Sequence, residues 1–349
     1  MESKKALDKI IGKSRVHFYK PIQIAEILYS HRTRAKLNIL DLESYRNSSK
    51  RWRDEISRRL VGRVSTSSQK FQDNIFEENA MPPKVLHDLA EFNNKNKGLV
   101  EAYIYYHLKN KLSMVEELIA YLEKRRDRFK LDEFLSLVNK KHGLKSSIDK
   151  VYEISVYALF NAIVKALNIS ITLSVENFDR GIVSDFEDFI QKVLGITKNR
   201  TSLKSPASLF RVGSTNAADS GLDMWANFGP AIQIKHVSLT EEIAEEVAEN
   251  VSADKIILVC LDAEAKVIDK ILNQLPFRSR IQGIITVSDL MRWYSMSLSQ
   301  KYTEKLGAHL IEYLIKEFKE EFPSSTQIQP FIRERDYSSD VLKGAWSVV

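Results

Sequence analysis

The chain has 349 residues, 52 Lys and Arg against 46 Asp and Glu, a formal charge of +6, and is 44% hydrophobic and 28% charged. That composition excludes a disordered or fibrous chain, and the length suits one large or two ordinary domains with real cores. The single cysteine, Cys260, excludes an internal disulfide and a Cys-based zinc site and suits a reducing cytosol, and no run has the apolar length of a signal peptide or a membrane span.

Residues 1–145 read as a mainly helical region. KPIQIAEILYSHR carries Pro21 at a helix start and apolar Ile22, Ile24, Ala25, Ile27 and Leu28 in helical spacing. SKRWRDEISRRLVGRV reads as a helix capped by Ser49, and residues 98–125 as one or two helices. Met81-Pro82-Pro83 and Asn93–Gly98 are breaks. From about residue 146 the pattern changes. SSIDKVYEISVYALFNAIVKALNI is a strongly apolar helix, with Glu153 its only charge between Lys150 and Lys165. ISITLSVEN follows as a strand and SDFEDFIQKVLG as a helix. GLDMWANF and AIQIKHVSL form paired strands about a tight turn at Gly229-Pro230. TEEIAEEVAENV is a helix with Thr240 at its N-cap, and KIILVCL is a continuous apolar strand of a sheet centre. A helix (DAEAKVIDKILNQL), a strand (RIQGIITV) and a largely helical stretch (289–322) complete the order, and 324–349 is polar and ambiguous. Helices alternating with single and paired strands predict an α/β domain over 146–349 with a mixed sheet flanked by helices.

The charge is concentrated. Residues 31–70 hold eleven Lys and Arg against four acids, a net +7, and residues 189–218 hold five against none. The rest of the chain therefore stands at −6. Clustering of this kind is what neutralising phosphates requires, although a solvated basic face has the same count.

Asp223 precedes Gln233 by ten residues and Lys235 by twelve, and Gln233 and Lys235 share one face of a strand. A carboxylate, an amide oxygen and an ammonium on adjacent strands can build a Mg²⁺ hydrolysis site: Asp223 and Gln233 as oxygen ligands, Lys235 to position or deprotonate a water. Glu153 could add a ligand, since a charge in so apolar a helix needs a partner. The alternative is an ordinary amphipathic hairpin with Lys235 in water. A plain two-residue turn would put Asp223 opposite His236, on the wrong face, so the site requires an odd-length loop or a β-bulge.

The αβββαβ order with Asp…(Glu/Gln)-x-Lys resembles the PD-(D/E)xK nuclease superfamily. More closely, KSRVHFYKPIQIAEILY, SKRWRDEISRR, SIDKVYEISVYALF and TNAADSGLDMWANFGPAIQIKHVSL resemble HaeII-type restriction endonucleases, from about residue 13 to about residue 300. The resemblance implies a type II endonuclease that cuts double-stranded DNA within a short palindrome, RGCGCY, using Mg²⁺ and leaving 5′ phosphates. It implies Asp223, Gln233 and Lys235 as the catalytic core, joined by Glu153, with the Ile234 carbonyl as a further metal contact. It also implies a cognate methyltransferase in a prokaryotic cytoplasm, and the palindrome points to a homodimer. The superfamily's usual Pro before the Asp is Leu222 here, and its usual acid before x-Lys is Gln233.

Arg51, Arg53, Arg58 and Arg59, with Trp52 among them, are candidate DNA contacts on a helical face. Arg211, Ser214, Thr215 and Asn216 precede the catalytic strand in a polar loop, with Arg211 the candidate for a forked guanine contact. His236 reads as a core or surface histidine, no His pair has zinc spacing, and Cys260 reads as core. A structure-specific repair nuclease of the same fold and a non-catalytic DNA-binding module remain as alternatives.

Overall fold

The computed structural model describes the chain except residues 1, 35–36, 177–178, 213–221, 274–279, 338–341, 343 and 349. The described residues form two compact units. The first holds residues 1–155 and 311–349, the second 156–212 and 220–310, and both divisions fall inside helices.

The first unit is helical. Its helices are α1 (Glu2–Lys13), α2 (Tyr19–Thr33), α3 (Arg46–Val61), α4 (Gln69–Asp73), α5 (Pro83–Lys95), α6 (Leu99–Lys124) and α7 (Leu131–Lys140). The boundary helix α8 (Ile148–Ala166) begins in it and continues into the second unit. α2 is buried on nearly every side, and two of its three buried polar residues, Gln23 and Glu26, have side-chain partners on other elements, as buried polar groups must. Gln23 donates to Ser49 Oγ at 2.9 Å and accepts from Arg53 at 3.2 Å. Glu26 accepts from Tyr105 at 2.5 Å and from Arg335 at 3.1 Å. Ser49 is therefore an interior residue of α3, which starts at Arg46, and not its cap.

The chain end differs from expectation. Residues 311–349 belong to the helical unit, not to the α/β part. α14 (Ala308–Glu321) sets Phe318 against Phe134, and α15 (Ile328–Glu334) and Tyr337 set their rings around Tyr105. Phe331, Tyr337 and Trp346 are buried, so the stretch that looks polar in sequence carries a few large apolar anchors.

The second unit is built on a five-stranded sheet in the order β3 (Leu209–Arg211), β4 (Met224–Ala226), β5 (Ala231–Ser238), β6 (Ile256–Asp262), β7 (Ile281–Ile285). The first three strands are antiparallel neighbours and the last three are parallel. β6 is IILVCLD, flanked on both sides and buried at Ile256 and Leu258–Cys260, as its unbroken apolar run requires. α11 (Glu241–Asn250), capped by Thr240, and α12 (Ala265–Asn273) cover one face through Ala244, Val247, Val251 and Ile271 against Ala231, Ile256, Leu258 and Cys260. α13 (Val287–Ser297), opened by a Thr286–Asp289 capping box, packs along β6.

The expected first strand, ISITLSVEN, is not part of this sheet. It forms β1 (Ser170–Ser174), paired only with β2 (Ser202–Pro206) in a separate ribbon. β3, absent from the sequence reading, takes the sheet edge instead. Between β1 and β2 the chain is helical over α9 (Arg180–Asp185), α10 (Glu187–Phe189) and a wider turn, Ile190–Leu194.

Candidate active site

The β4–β5 connection decides the face on which Asp223 lies. Met224 stands against Ile232 and Trp225 against Ala231. The Ala226 N–H donates to the Pro230 carbonyl, and the Gly229 N–H to the Ala226 carbonyl, both at 3.0 Å. The turn is thus the three residues Asn227, Phe228 and Gly229, not Gly229-Pro230. Gly229 sits at φ +122, which a side chain would strain. The odd loop length carries the register back so that Asp223 falls across from Gln233, as the site requires.

The Asp223 carboxylate accepts a hydrogen bond from the Ile234 amide at 2.7 Å, between Gln233 and Lys235 on β5. Its own carbonyl accepts from the Val212 amide at 2.8 Å, so this short stretch before β4 is tied on both sides. Gln233 is 5% exposed, and its Oε1 is buried with no hydrogen-bond partner among the described residues. A buried acceptor left open costs free energy unless something else occupies it. Lys235, on the same face two residues on, is a third exposed, and its Nζ lies 3.7 Å from Glu246 on α11. Glu246 is a residue the sequence reading missed; its only signal is a place on the acidic helix that follows β5.

Among the described residues no group of three or more His, Cys, Asp and Glu could hold a metal ion. The centre is one carboxylate, one amide oxygen and backbone. That donor set of hard oxygens, with an open buried acceptor, fits a cation such as Mg²⁺ that keeps much of its water. Glu153 lies in the first unit, 6% exposed, and is ion-paired with Lys150. His236 lies where the β5–β6 register shifts, between Lys235 and Ser238. Burial pushes the Cys260 thiol up to about 11, with Asp262 and Asp289 adding to it, so it stays a protonated core residue. An apolar cavity of about 500 Å³, lined by Phe160, Ile232, Ile257, Ile285 and Trp293, lies on the sheet face away from Asp223.

The candidate DNA contacts separate. Arg51 and Arg58 are exposed on α3, seven residues apart, with no acidic partner among the described residues. Arg53 corrects the expectation. It is 2% exposed, donates twice to Asp54 at 2.6 and 2.8 Å, and reaches Gln23 and Gln72, so it is a core arginine facing α2. Arg59 is surface-exposed but paired with Glu334 at 2.5 Å. Arg211 pairs with Met224 in register, so its side chain leaves the sheet on the face opposite the Asp223 row. Asn216, with Ser214 and Thr215, lies outside the described residues. The stretch 189–218 is also less basic than its count, because Lys192 pairs with Asp188 and Lys198 with Glu187, acids just outside the window.

A family model described as HaeII restriction endonuclease matches residues 3–337. The chain belongs to the HaeII restriction endonuclease family. It is 48% identical over 339 residues to the type II restriction enzyme HaeII of Haemophilus aegyptius, covering 96% of each chain. It is 49% identical over 332 residues to the type II restriction enzyme NgoBI of Neisseria gonorrhoeae, covering 95% of this chain and 94% of that one. No solved structure matches. Membership in the HaeII family makes this chain a type II restriction endonuclease, an enzyme of the hydrolase class. The family match also runs past residue 300, the end expected from sequence, and takes in α14 and α15.

Proposed function

We propose that this chain hydrolyses double-stranded DNA within a short palindrome, with Asp223, Gln233 and Lys235 as its centre on a PD-(D/E)xK-type sheet. The observation that carries the reading is the row of three on one sheet face: a carboxylate fixed by the Ile234 amide, a buried amide oxygen without a donor, and an ammonium at the solvent edge. Asp223 and Gln233, with the Ile234 carbonyl between them and Lys235, are the groups that would hold Mg²⁺. A bound Mg²⁺ supplies charge neutralisation at the phosphate and acidifies water. Lys235 orients the attacking water and offsets charge that builds on the phosphate oxygens. Attack of the water oxygen on phosphorus breaks the bond to the 3′ oxygen and leaves a 5′ phosphate. Glu153, buried and ion-paired with Lys150 on α8, stays the candidate fourth group of the centre.

The target sequence RGCGCY, the partner methyltransferase and the cytoplasmic setting follow from the family resemblance. A palindrome calls for two active sites related by a two-fold axis, hence a homodimer. Arg51 and Arg58 are the arginines of α3 free to meet phosphate.

Incubation with unmethylated phage DNA and Mg²⁺, followed by sequencing of the ends, tests the proposal. A single recurrent site with 5′ phosphates is expected, and its loss in Lys235→Ala. Cleavage set by DNA structure instead of sequence would make the chain a repair nuclease. Salt-dependent binding without any cleavage would make it a non-catalytic module.

A further inference from the structure

Two aromatic rings stand in the open on the sheet face that carries Asp223. In register, Phe210 on the edge strand β3 lies opposite Trp225 on β4, and Trp225 lies opposite Ala231 on β5. Residues two apart on a strand share a face, so Phe210 and Trp225 stand on the side of Asp223, Ala231 and Gln233. The two rings are stacked, with centroids 4.3 Å apart and planes 19° from parallel. They are 42% and 43% exposed. α11 and α12 cover the same face farther in, over Ala231, Ile256, Leu258 and Cys260, and neither ring belongs to the core they form. Trp225 follows Asp223 by two residues, about 7 Å along the strand.

We propose that Phe210 and Trp225 form a stacking platform for one base of the DNA substrate, beside the phosphate that is cut. The proposal rests on the reading of Asp223, Gln233 and Lys235 as the centre, and it adds two residues that hold the substrate there. A phosphate held at Asp223 brings its neighbouring nucleotides within reach of rings about 7 Å away on the same face. Aromatic rings offer a base a flat apolar partner whatever its identity, and such a contact is strong for its size. A base in a duplex accepts a ring only when its step opens, as where apolar side chains wedge between base pairs. The exposed area also suits a base better than a protein. At about 150–250 Å² for each aromatic side chain, the pair presents on the order of 150 Å², far below the roughly 800 Å² that one partner gives a standard protein interface. Stacking across two strands steadies the sheet edge as well, but that role needs no open ring face beside Asp223.

Binding of a labelled duplex carrying AGCGCT to the full chain, with no metal added and over a range of salt, tests this. Phe210→Leu with Trp225→Leu keeps apolar bulk on both strands and removes the flat faces. Its affinity should fall by about 5- to 100-fold with an unchanged salt slope, since stacking releases no counterions. Phe189→Leu, at an exposed aromatic elsewhere in the same unit, should bind as wild type does. Should the double variant fail to fold, fluorescence decides: DNA should quench a share of the wild-type tryptophan emission that Trp225→Phe lacks. Equal affinity of the double variant and the wild type would overturn the proposal, as would a weakening that comes with a flatter salt slope. So would quenching that is the same in Trp225→Phe, or a Trp225 emission that changes with protein concentration before DNA is added, the mark of a second copy on the rings. The platform and the centre fail separately. Normal duplex binding by the double variant, beside a Lys235→Ala chain that no longer cleaves, removes the platform alone. Weak binding by the double variant, beside a Lys235→Ala chain that still cleaves, removes the centre and leaves the platform.

Discussion

The backbone amide of Ile234 donates to the carboxylate of Asp223 at 2.7 Å, so the strand that carries Gln233 and Lys235 also orients this carboxylate. Asp223 thus has a structural role separable from its charge. Asp223→Asn keeps an oxygen to accept the bond, and its thermal stability should stay within about 1 kcal/mol of wild type. On the proposed reading, Mg²⁺-dependent cleavage should fall by about 10³-fold or more, because the charge proposed to hold the cation is gone. Single-turnover cleavage and thermal unfolding measured side by side check both halves. Near-normal cleavage by Asp223→Asn would remove Asp223 from the centre.

Gln233→Glu puts a second carboxylate across from Asp223, in a buried position whose oxygen has no donor. Without metal the two like charges should lower stability by about 1–2 kcal/mol at neutral pH. Mg²⁺ should restore that loss through its tighter binding to the charged pair. Thermal unfolding with and without Mg²⁺ reads the effect, and equal shifts in wild type and variant would mean that Gln233 does not face the cation.

The arginines of α3 should divide by burial. Replacing Arg51 and Arg58 by Ala should leave stability unchanged, weaken DNA binding, and reduce the slope of log affinity against log salt by about 2. Arg53→Ala should instead cost about 2–4 kcal/mol, because Gln23, Asp54 and Gln72 lose their common donor. Chemical denaturation and salt-titrated binding distinguish the two. Loss of binding by a stable Arg53→Ala chain would contradict its place in the core.

Periodicity and capping made the helices and the central strands readable in sequence. α6, the cap at Thr240 and the apolar run of β6 all depend on neighbours within a few residues. The face of Asp223 was readable only as a condition: a row of Asp223, Gln233 and Lys235 on one face needs an odd loop or a β-bulge, and the β4–β5 connection is the odd loop. What was not readable depends on partners distant in the chain. Arg53 and Arg58 differ by five residues on the same helix, and only the position of α2 sends one inward. Leu209–Arg211 is too short to announce a strand, and the edge of β4 supplies its pairing. Window charge counts failed at 189–218 for a local reason: Glu187 and Asp188 sit two residues and one residue before the window.

His107 provides a pH test of the helical unit. Burial, with Lys111 and Lys4 adding to it and Asp8 opposing, lowers its pKa to about 4, and its Nε2 is buried without a partner among the described residues. The unfolded chain takes up this proton near 6.5, before the folded one does. Stability should therefore fall as pH drops from about 6.5 through about 4, and the loss is complete below that. The shift corresponds to at most about 3 kcal/mol, roughly halved because the ring is partly exposed. His107→Gln should flatten this part of the curve in urea unfolding, and an unchanged slope would show that the imidazole protonates freely in the fold.

The chain end should behave as core, not as a tail. Tyr337 donates its hydroxyl to Glu101 at 2.5 Å, and Glu101 is fully buried. The same carboxylate takes a forked pair of bonds from Arg32 at 2.8 and 2.9 Å and one from Asn93 at 2.6 Å. Tyr337→Phe removes one donor of several and keeps the ring stacked on Tyr105, so it should cost about 1–2 kcal/mol. Arg32→Ala removes the counter-charge of a buried carboxylate and should cost about 3–5 kcal/mol. The order matters more than either value: urea midpoints should rank wild type, then Tyr337→Phe, then Arg32→Ala. If Tyr337→Phe unfolds with the wild type, the Tyr337 hydroxyl is not holding Glu101.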